Sequence, residues 1–298
     1  MGLKPGQPLV DNLKYLSMAN PVPARIHVLM ASDGGTGVVI RRGPSKTVCT
    51  IEWDRRNDKF RLGQWLRGRI YERLADLSPD GKYMIYFAMN GRWHTKVKGS
   101  WTAVSRAPYL KAVALYPKGD CWNGGGLFTS RNRYWLNKGY GHDVAHESLE
   151  VGLEERFVPT GGVGNGWLGV YFPRLLRDGW RLLGREDWTP EAAAWPTRAH
   201  IFEKALTEGW SLRKIAHASV AHPPGRGCYW DEHELVHHQR EIVIALRNWE
   251  WAEVDGSRLV WAEGGILRAG KVNSSGLSDP EVLIDLNPMT FEPLAAPY

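Results

Sequence analysis

Disulfide chemistry has little to work with in this sequence: three cysteines, Cys49, Cys121 and Cys228, lie far apart in 298 residues. An odd, dispersed set makes neither a disulfide framework nor a CxxC zinc pair, which points to reduced thiols and a cytoplasmic protein. Cys228, with His233 close in sequence, is expected as a buried strand thiol and not as a nucleophile. Long apolar runs are missing as well, so no segment reaches the length that spans a membrane. The first residues, Met1 to Pro8, lack the apolar core of a secretion signal, and the sixth is Gly where a myristoylation motif takes Ser or Thr. A Gly-x-Ser-x-Gly elbow is absent, and Ser78, Ser105 and Ser130 have no neighbouring histidine to build a triad on. Long helical periodicity is nearly absent. Its two candidates are Gln64–Leu74, weakened by Gly68, and Thr189–Ala194, where Pro190 is a first-turn residue.

Charge singles out no partner class. The formal charge is +6, and the basic residues scatter except in Trp53–Arg61 and Arg67–Arg69. Asp54 and Asp58 interrupt that run and no nucleic-acid motif accompanies it, so a solvated mixed-charge face is expected and a nucleic-acid partner is not.

What is abundant is turn and strand material. With 33 glycines, 18 prolines and 15 tryptophans, the chain is built from many short elements. His27–Met30, Gly37–Ile40, Thr47–Trp53 and Tyr83–Phe87 are β-branched or aromatic and flanked by turn residues, which predicts strands. Two internal repeats stand out. Asp80-Gly81 leads into Tyr83–Phe87 as Asp255-Gly256 leads into Leu259–Ala262, each a tight turn feeding an apolar strand after an earlier strand candidate, Leu74–Leu77 or Trp249–Val254. The pattern F-x-x-x-L-x-x-G-W-x-L occurs from Phe172 and again from Phe202, an offset of 30 (202 − 172), and reads as an outer strand turning into the next element.

Repeated aromatic turn-strand units predict an all-β fold, a single β-propeller. Blades of about 40 to 50 residues fit the chain about six times, with five or seven as neighbours. Residues 1–23 are then an N-terminal extension and 24–298 the propeller, its ring closed by a strand from the apolar stretch Thr290–Tyr298. Asp76-Leu77-Ser78-Pro79-Asp80-Gly81-Lys82 resembles the S-P-D-G turn of TolB-like and Trp-Asp-repeat propellers. The whole chain is similar to an uncharacterised family of Trp-rich bacterial proteins, in Gly63–Arg73, Trp230–Val236, Trp249–Ala252 and the Phe291–Tyr298 tail. That resemblance implies the propeller fold and carries over no active site.

The stretch from Gly227 to His238 concentrates acids and imidazoles. Setting Leu235-Val236-His237 on Leu259-Val260-Trp261, an offset of 24 (259 − 235), puts Asp231 on Asp255 and predicts a hairpin turn over Asp231–His233. In the strand that follows, His237 and His238 face opposite sides and cannot share one ion. His142 and His146 form an H-D-x-x-H pair that needs a helix, yet the Gly-rich surroundings predict a polar connector over Lys138–Glu150. The glycines of Gly124–Gly126 and Gly161–Gly166 lack dinucleotide spacing and read as turns between blades.

Most tryptophans read as blade packing. Those placed in loops, Trp93, Trp122, Trp167 and Trp230, are the expected contacts, with Asn123, Asp231 and His233 beside them. The sequence thus predicts a non-enzymatic module, without cofactor or metal, that binds another protein through one loop-bearing face. A glycan-binding propeller and a metal-dependent hydrolase using His142, His146, His233 or His237 are the alternatives.

Overall fold

The computed structural model describes residues 22–44, 46–139, 141–160, 168–185, 199–218 and 227–298. The expected extension before residue 22, the helix at Thr189–Ala194, Trp167 and the Gly161–Gly166 cluster lie outside the described residues. No described helix is long and apolar enough to cross a membrane.

Among the described residues the protein is all-β apart from one α-helix and a single 3-10 turn at His238–Arg240. The first sheet runs β1 (Arg25–Met30), β2 (Thr36–Arg42), β3 (Thr47–Asp54) and β4 (Lys59–Arg67), each antiparallel to the one before. The second repeats the order with β5 (Arg69–Leu77), β6 (Tyr83–Met89), β7 (Ser100–Arg106) and β8 (Ala112–Pro117). A three-stranded sheet follows: β9 (Gly126–Phe128), β10 (Arg133–Leu136) and β11 (Gly152–Leu153), the last pairing parallel to β10. Helix α1 (Leu168–Arg177) precedes a fourth sheet of β12 (Arg181–Arg185), β13 (His200–Ala205), β14 (Trp210–Ala218), β15 (Tyr229–His237) and β16 (Ile242–Ala245). The fifth holds β17 (Trp249–Asp255), β18 (Arg258–Glu263), β19 (Ile266–Asn273) and β20 (Gly276–Asp285).

The strand runs are apolar on successive residues because the sheets are covered on both faces. Leu29, Val38 and Ile40 pack on Ile70, Leu77 and Met84 of the second sheet. Their neighbours Val28 and Val39 point the other way, onto Trp251, Val260 and Ala269 of the fifth. Each such Val, Ile or Leu contributes about 1.5–3 kcal/mol relative to exposure. The second sheet also packs on the third, and the fourth on the fifth with α1 between neighbours.

Several sequence expectations change here. Among the described residues there are five sheets, the lower neighbour of the expected six, and they are unequal, with three of them four-stranded. The repeats did not reveal this because the helix and the short third sheet occupy chain length that a uniform count assigns to strands. Gln64–Leu74 is the end of β4 and most of β5. Gly68 marks the corner between sheets, where a Cβ would lie 2.6 Å from the Met89 carbonyl oxygen. The Phe172 copy of the long repeat is helical, whereas the Phe202 copy is strand β13. Only their second halves agree: Gly179 and Gly209 both turn at positive φ, and Trp180 and Trp210 are both buried just after.

The Asp-Gly repeat holds, since Gly81 and Gly256 turn at φ 74° and 62° into β6 and β18. The C-terminal residues form no strand and close no sheet. They lie as a strap, because Arg41 takes up the carbonyls of Leu286 and Met289 through its guanidinium at 3.1 and 3.2 Å. Farther on, Phe291 packs on Trp65 and the Tyr298 hydroxyl receives the Arg106 N–H at 3.1 Å.

Candidate functional site

β1, β5, α1, β14, β15 and β17 bring a polar centre together inside the apolar layers. Alternation along β14 buries Trp210, Leu212, Lys214, Ala216 and Ala218 on one side. Along β15 it does the same for Asp231, His233, Leu235 and His237. In β5 the pairing with β6 shifts between Tyr71 and Asp76, a bulge that turns both Arg73 and Asp76 into the interior.

Arg73 Nη2 donates to Asp231 Oδ1 at 2.8 Å, and the Tyr171 hydroxyl donates to Asp231 Oδ2 at 2.6 Å. Burial alone would raise the Asp231 carboxyl, but the Arg73 and Lys214 cations outweigh it and hold it below the usual carboxylate range. Arg177 grips Asp76 through both terminal nitrogens at 2.6 and 2.9 Å, and the Phe128 N–H adds a third bond. Arg174 donates to the Glu72 and Ala75 carbonyls and to His27 Nε2. Accepting there makes His27 a neutral imidazole protonated on Nδ1, in line with burial and the Arg174 charge pushing its pKa well down. His233 Nδ1 donates to the Trp249 carbonyl at 3.2 Å, and burial with the Lys214 charge lowers its pKa to about 3.

Three cavities adjoin this centre. The outermost measures about 1270 Å³ and is lined by Arg25, Arg42, Lys46, Arg67 and Arg69, with Arg73 and Arg92 completing the cations. Among the described residues Glu72 is the one carboxylate on its wall, and it lies 3.6 Å from Arg42. Tyr71, Met89 and Tyr229 supply apolar surface. A second cavity of about 620 Å³ shares Arg42, Glu72, Arg73 and Tyr229 with the first. An inner one of about 400 Å³ shares His27 with the second and is lined by Arg174, Lys204 and Lys214.

The expected contact residues separate into two groups. Trp93 is 48% exposed in the β6–β7 loop and Trp122 54% exposed in the β8–β9 loop. Arg92 and Cys121, their chain neighbours, line the outer cavity, so both loops reach its rim. Asn123 sits beside Trp122 at φ 59°, its amide against Gly139.

Trp230, Asp231 and His233 are not in a loop or turn. They lie within β15, because β15 pairs along its whole length with β14 and the offset-24 alignment put a turn where the ladder continues. Trp230 stacks on His217 at 4.5 Å, while Asp231 and His233 are buried. Cys228 is exposed at the cavity rim, outside the strand.

The histidines of the hydrolase alternative are dispersed. His142 bonds to Thr102 Oγ1 and the Lys138 carbonyl, in a connector without helix, and His146 is exposed. His237 meets Trp210 edge-on, and His238 points outward to Glu203. Among the described residues no three His, Cys, Asp or Glu side chains are placed to hold a metal ion.

Sequence reasoning missed His27, Arg73, Tyr171, Arg174 and Lys214. One signal was present: Lys214 falls on the inward register of an otherwise apolar alternation, where a charge needs an explanation.

No family model matches the chain, and no curated protein matches it. Among solved structures, a variant of the AtxE2 isopeptidase with Astexin3-dC4 bound is similar at 10% identity and a TM-score of 0.38. The similarity covers 90% of this chain and 53% of that one, so the chain spans about half the length of that protein. A score at that level carries no argument about fold or activity, and the reading of this site rests on its own geometry.

Proposed function

We propose that the five sheets are blades of a β-propeller, and that the chain is a non-enzymatic binding module which takes an acidic segment of a partner protein into its cationic mouth. The blade reading is supported by five consecutive sheets, four of them antiparallel meanders and the third a mixed three-stranded sheet, and by the first sheet packing on both the second and the fifth. The binding reading is carried by one observation: seven cationic side chains line the outer cavity, Arg73 is already paired with Asp231, and Glu72 is the one carboxylate among the described lining residues.

Elsewhere on the surface several arginines are matched. Arg55 meets Asp255, Arg61 meets Glu52 and Arg258 meets Asp58. In the mouth, Lys46, Arg67 and Arg92 form no ion pair with a carboxylate among the described residues, and Arg69 shares Glu72 with Arg42. Positive potential focused in a concavity raises the encounter rate with anionic partners. The cations gather around one concavity whose wall also carries Tyr71 and Tyr229, which favours an acidic peptide with apolar residues over a nucleic-acid backbone.

The test is fluorescence anisotropy with a labelled Glu/Asp-rich peptide, a Lys-rich control and a single-stranded oligonucleotide. The acidic peptide is expected to bind, more weakly as salt rises, and Arg69→Glu with Arg92→Glu should weaken it at least tenfold. Lys59→Glu, far from the cavity on β4, should leave it unchanged. Equal binding of both peptides, tighter binding of the oligonucleotide, or indifference to the mouth substitutions would overturn the proposal.

A further inference from the structure

The inner cavity presents a separate charge imbalance. Its carboxylates are already engaged. Asp76 is held by Arg177 and the Phe128 N–H, and Asp178 accepts from Arg177 Nε at 2.9 Å. Glu253 accepts from Lys204 Nζ and Trp180 Nε1, both at 2.8 Å. Asp231, off the cavity wall, gives its two oxygens to Arg73 and Tyr171.

Two cations on the cavity wall are left with neutral acceptors only. Arg174, 5% exposed, reaches two carbonyls and a neutral imidazole. Lys214, 1% exposed, makes a single long contact of 3.4 Å to the Ala252 carbonyl, with its ammonium 4.6 Å from the centre of the Trp180 ring. An ammonium carries three N–H donors, so two of them have no hydrogen-bond acceptor among the described residues. Unmatched buried charges cost several kcal/mol each, and native proteins pair them.

We infer that this cavity is a binding site for a small oxyanion, a phosphate or carboxylate group held between Lys214 and Arg174. Such a group brings a hydrogen-bonded negative charge, where both cations now feel carboxylates only through space, Lys214 those of Asp231 and Glu253 and Arg174 those of Asp76 and Asp178. It also brings several acceptor oxygens, which fit the donors of an ammonium and a guanidinium better than one carbonyl does. Its volume of about 400 Å³ suits a small molecule. Burial pulls the Lys214 ammonium below the usual lysine range, and a bound anion would reverse that. The site stands apart from the mouth: Lys214 and Arg174 line the inner cavity and neither faces the outer one.

Isothermal titration of the full chain with inorganic phosphate, sulfate and acetate, at constant ionic strength in chloride, tests this. One saturable site is expected for at least one oxyanion. The order of the three affinities tells tetrahedral from planar chemistry. Lys214→Met should weaken that affinity at least tenfold, while Arg69→Glu, in the mouth, should change it less than twofold. The same Arg69→Glu protein fails the acidic-peptide assay if the mouth reading is right, so the two proposals fail separately.

Should Lys214→Met not fold, the unsubstituted chain decides: its melting temperature should rise in the favoured oxyanion relative to chloride at equal ionic strength. No saturable heat with any oxyanion, affinity unchanged by Lys214→Met, loss of binding through Arg69→Glu, or no rise in melting temperature would overturn the inference.

Discussion

Arg73 and Asp231, 158 positions apart in the chain, form a 2.8 Å ion pair with both side chains under a tenth exposed. Strand β5 and strand β15 belong to different sheets, so this bond ties them through the centre. Breaking one half strands the other charge out of water. Asp231→Asn is expected to cost about 3–5 kcal/mol, read from urea unfolding. Replacing both partners, Arg73→Met with Asp231→Leu, should recover most of that loss; a double variant as weak as the single one would show that the pair is not self-contained.

Glu250 responds to pH in the opposite sense from most carboxylates. Burial pushes it up to about 7, against the Ile26 N–H bond and the Arg25 and Arg42 charges that favour ionisation. The folded state therefore holds a proton that the unfolded chain has released above about 4.5. Its contribution is fully present below that pH and is lost as pH rises through 7. Relative to the unsubstituted chain, Glu250→Gln should gain on the order of 1–2 kcal/mol of stability between pH 5 and pH 8. Denaturant melts across that range would show a flat difference if burial did not perturb the group.

Gly125 tests how closely the third sheet approaches the second. It turns at φ 70°, and a Cβ there would lie 1.8 Å from the Leu74 carbonyl oxygen. Gly125→Ala should lose about 3 kcal/mol or more, since backbone has to move. Gly91 has a similar φ of 71° with nothing within 4 Å, so Gly91→Ala should lose only about 1 kcal/mol. Equal losses in thermal melts would mean that the close approach is not what matters.

The C-terminal strap should be measurable as well. Phe291 lies 5.8 Å from the Trp65 ring, with the Arg67 guanidinium 4.7 Å above its own. Phe291→Ala should lower stability by about 1 kcal/mol and speed proteolytic cleavage beyond Asn287. Cleavage at an unchanged rate would count against the strap.

Strands were legible wherever both sheet faces are covered. Val38, Val39 and Ile40 are apolar in succession because neighbours pack on each side, and such a run needs no partner to be recognised. The helix was hidden. Leu168, Tyr171, Phe172 and Leu175 follow helical spacing and are buried, but the match to the Phe202 copy read the segment as a strand. At the site, Trp93 and Trp122 were found as exposed loop residues because turn chemistry is local. Asp231 and His233 were noticed for their composition but placed in a turn, since only the ladder with β14 shows that the strand runs through them.

The sequence by itself determined the all-β class, the Asp-Gly hairpins at Gly81 and Gly256, and the two-sided burial of the strands. These follow from backbone conformation and from residue patterns spanning a few positions. The tertiary structure decided which charges meet. A bulge in β5, the inward register of β14 and β15, and one turn of helix at Tyr171–Arg174 bring Arg73, Asp231, Arg174 and Lys214 into one interior. No spacing along the chain encodes that meeting, because it depends on how separate sheets pack.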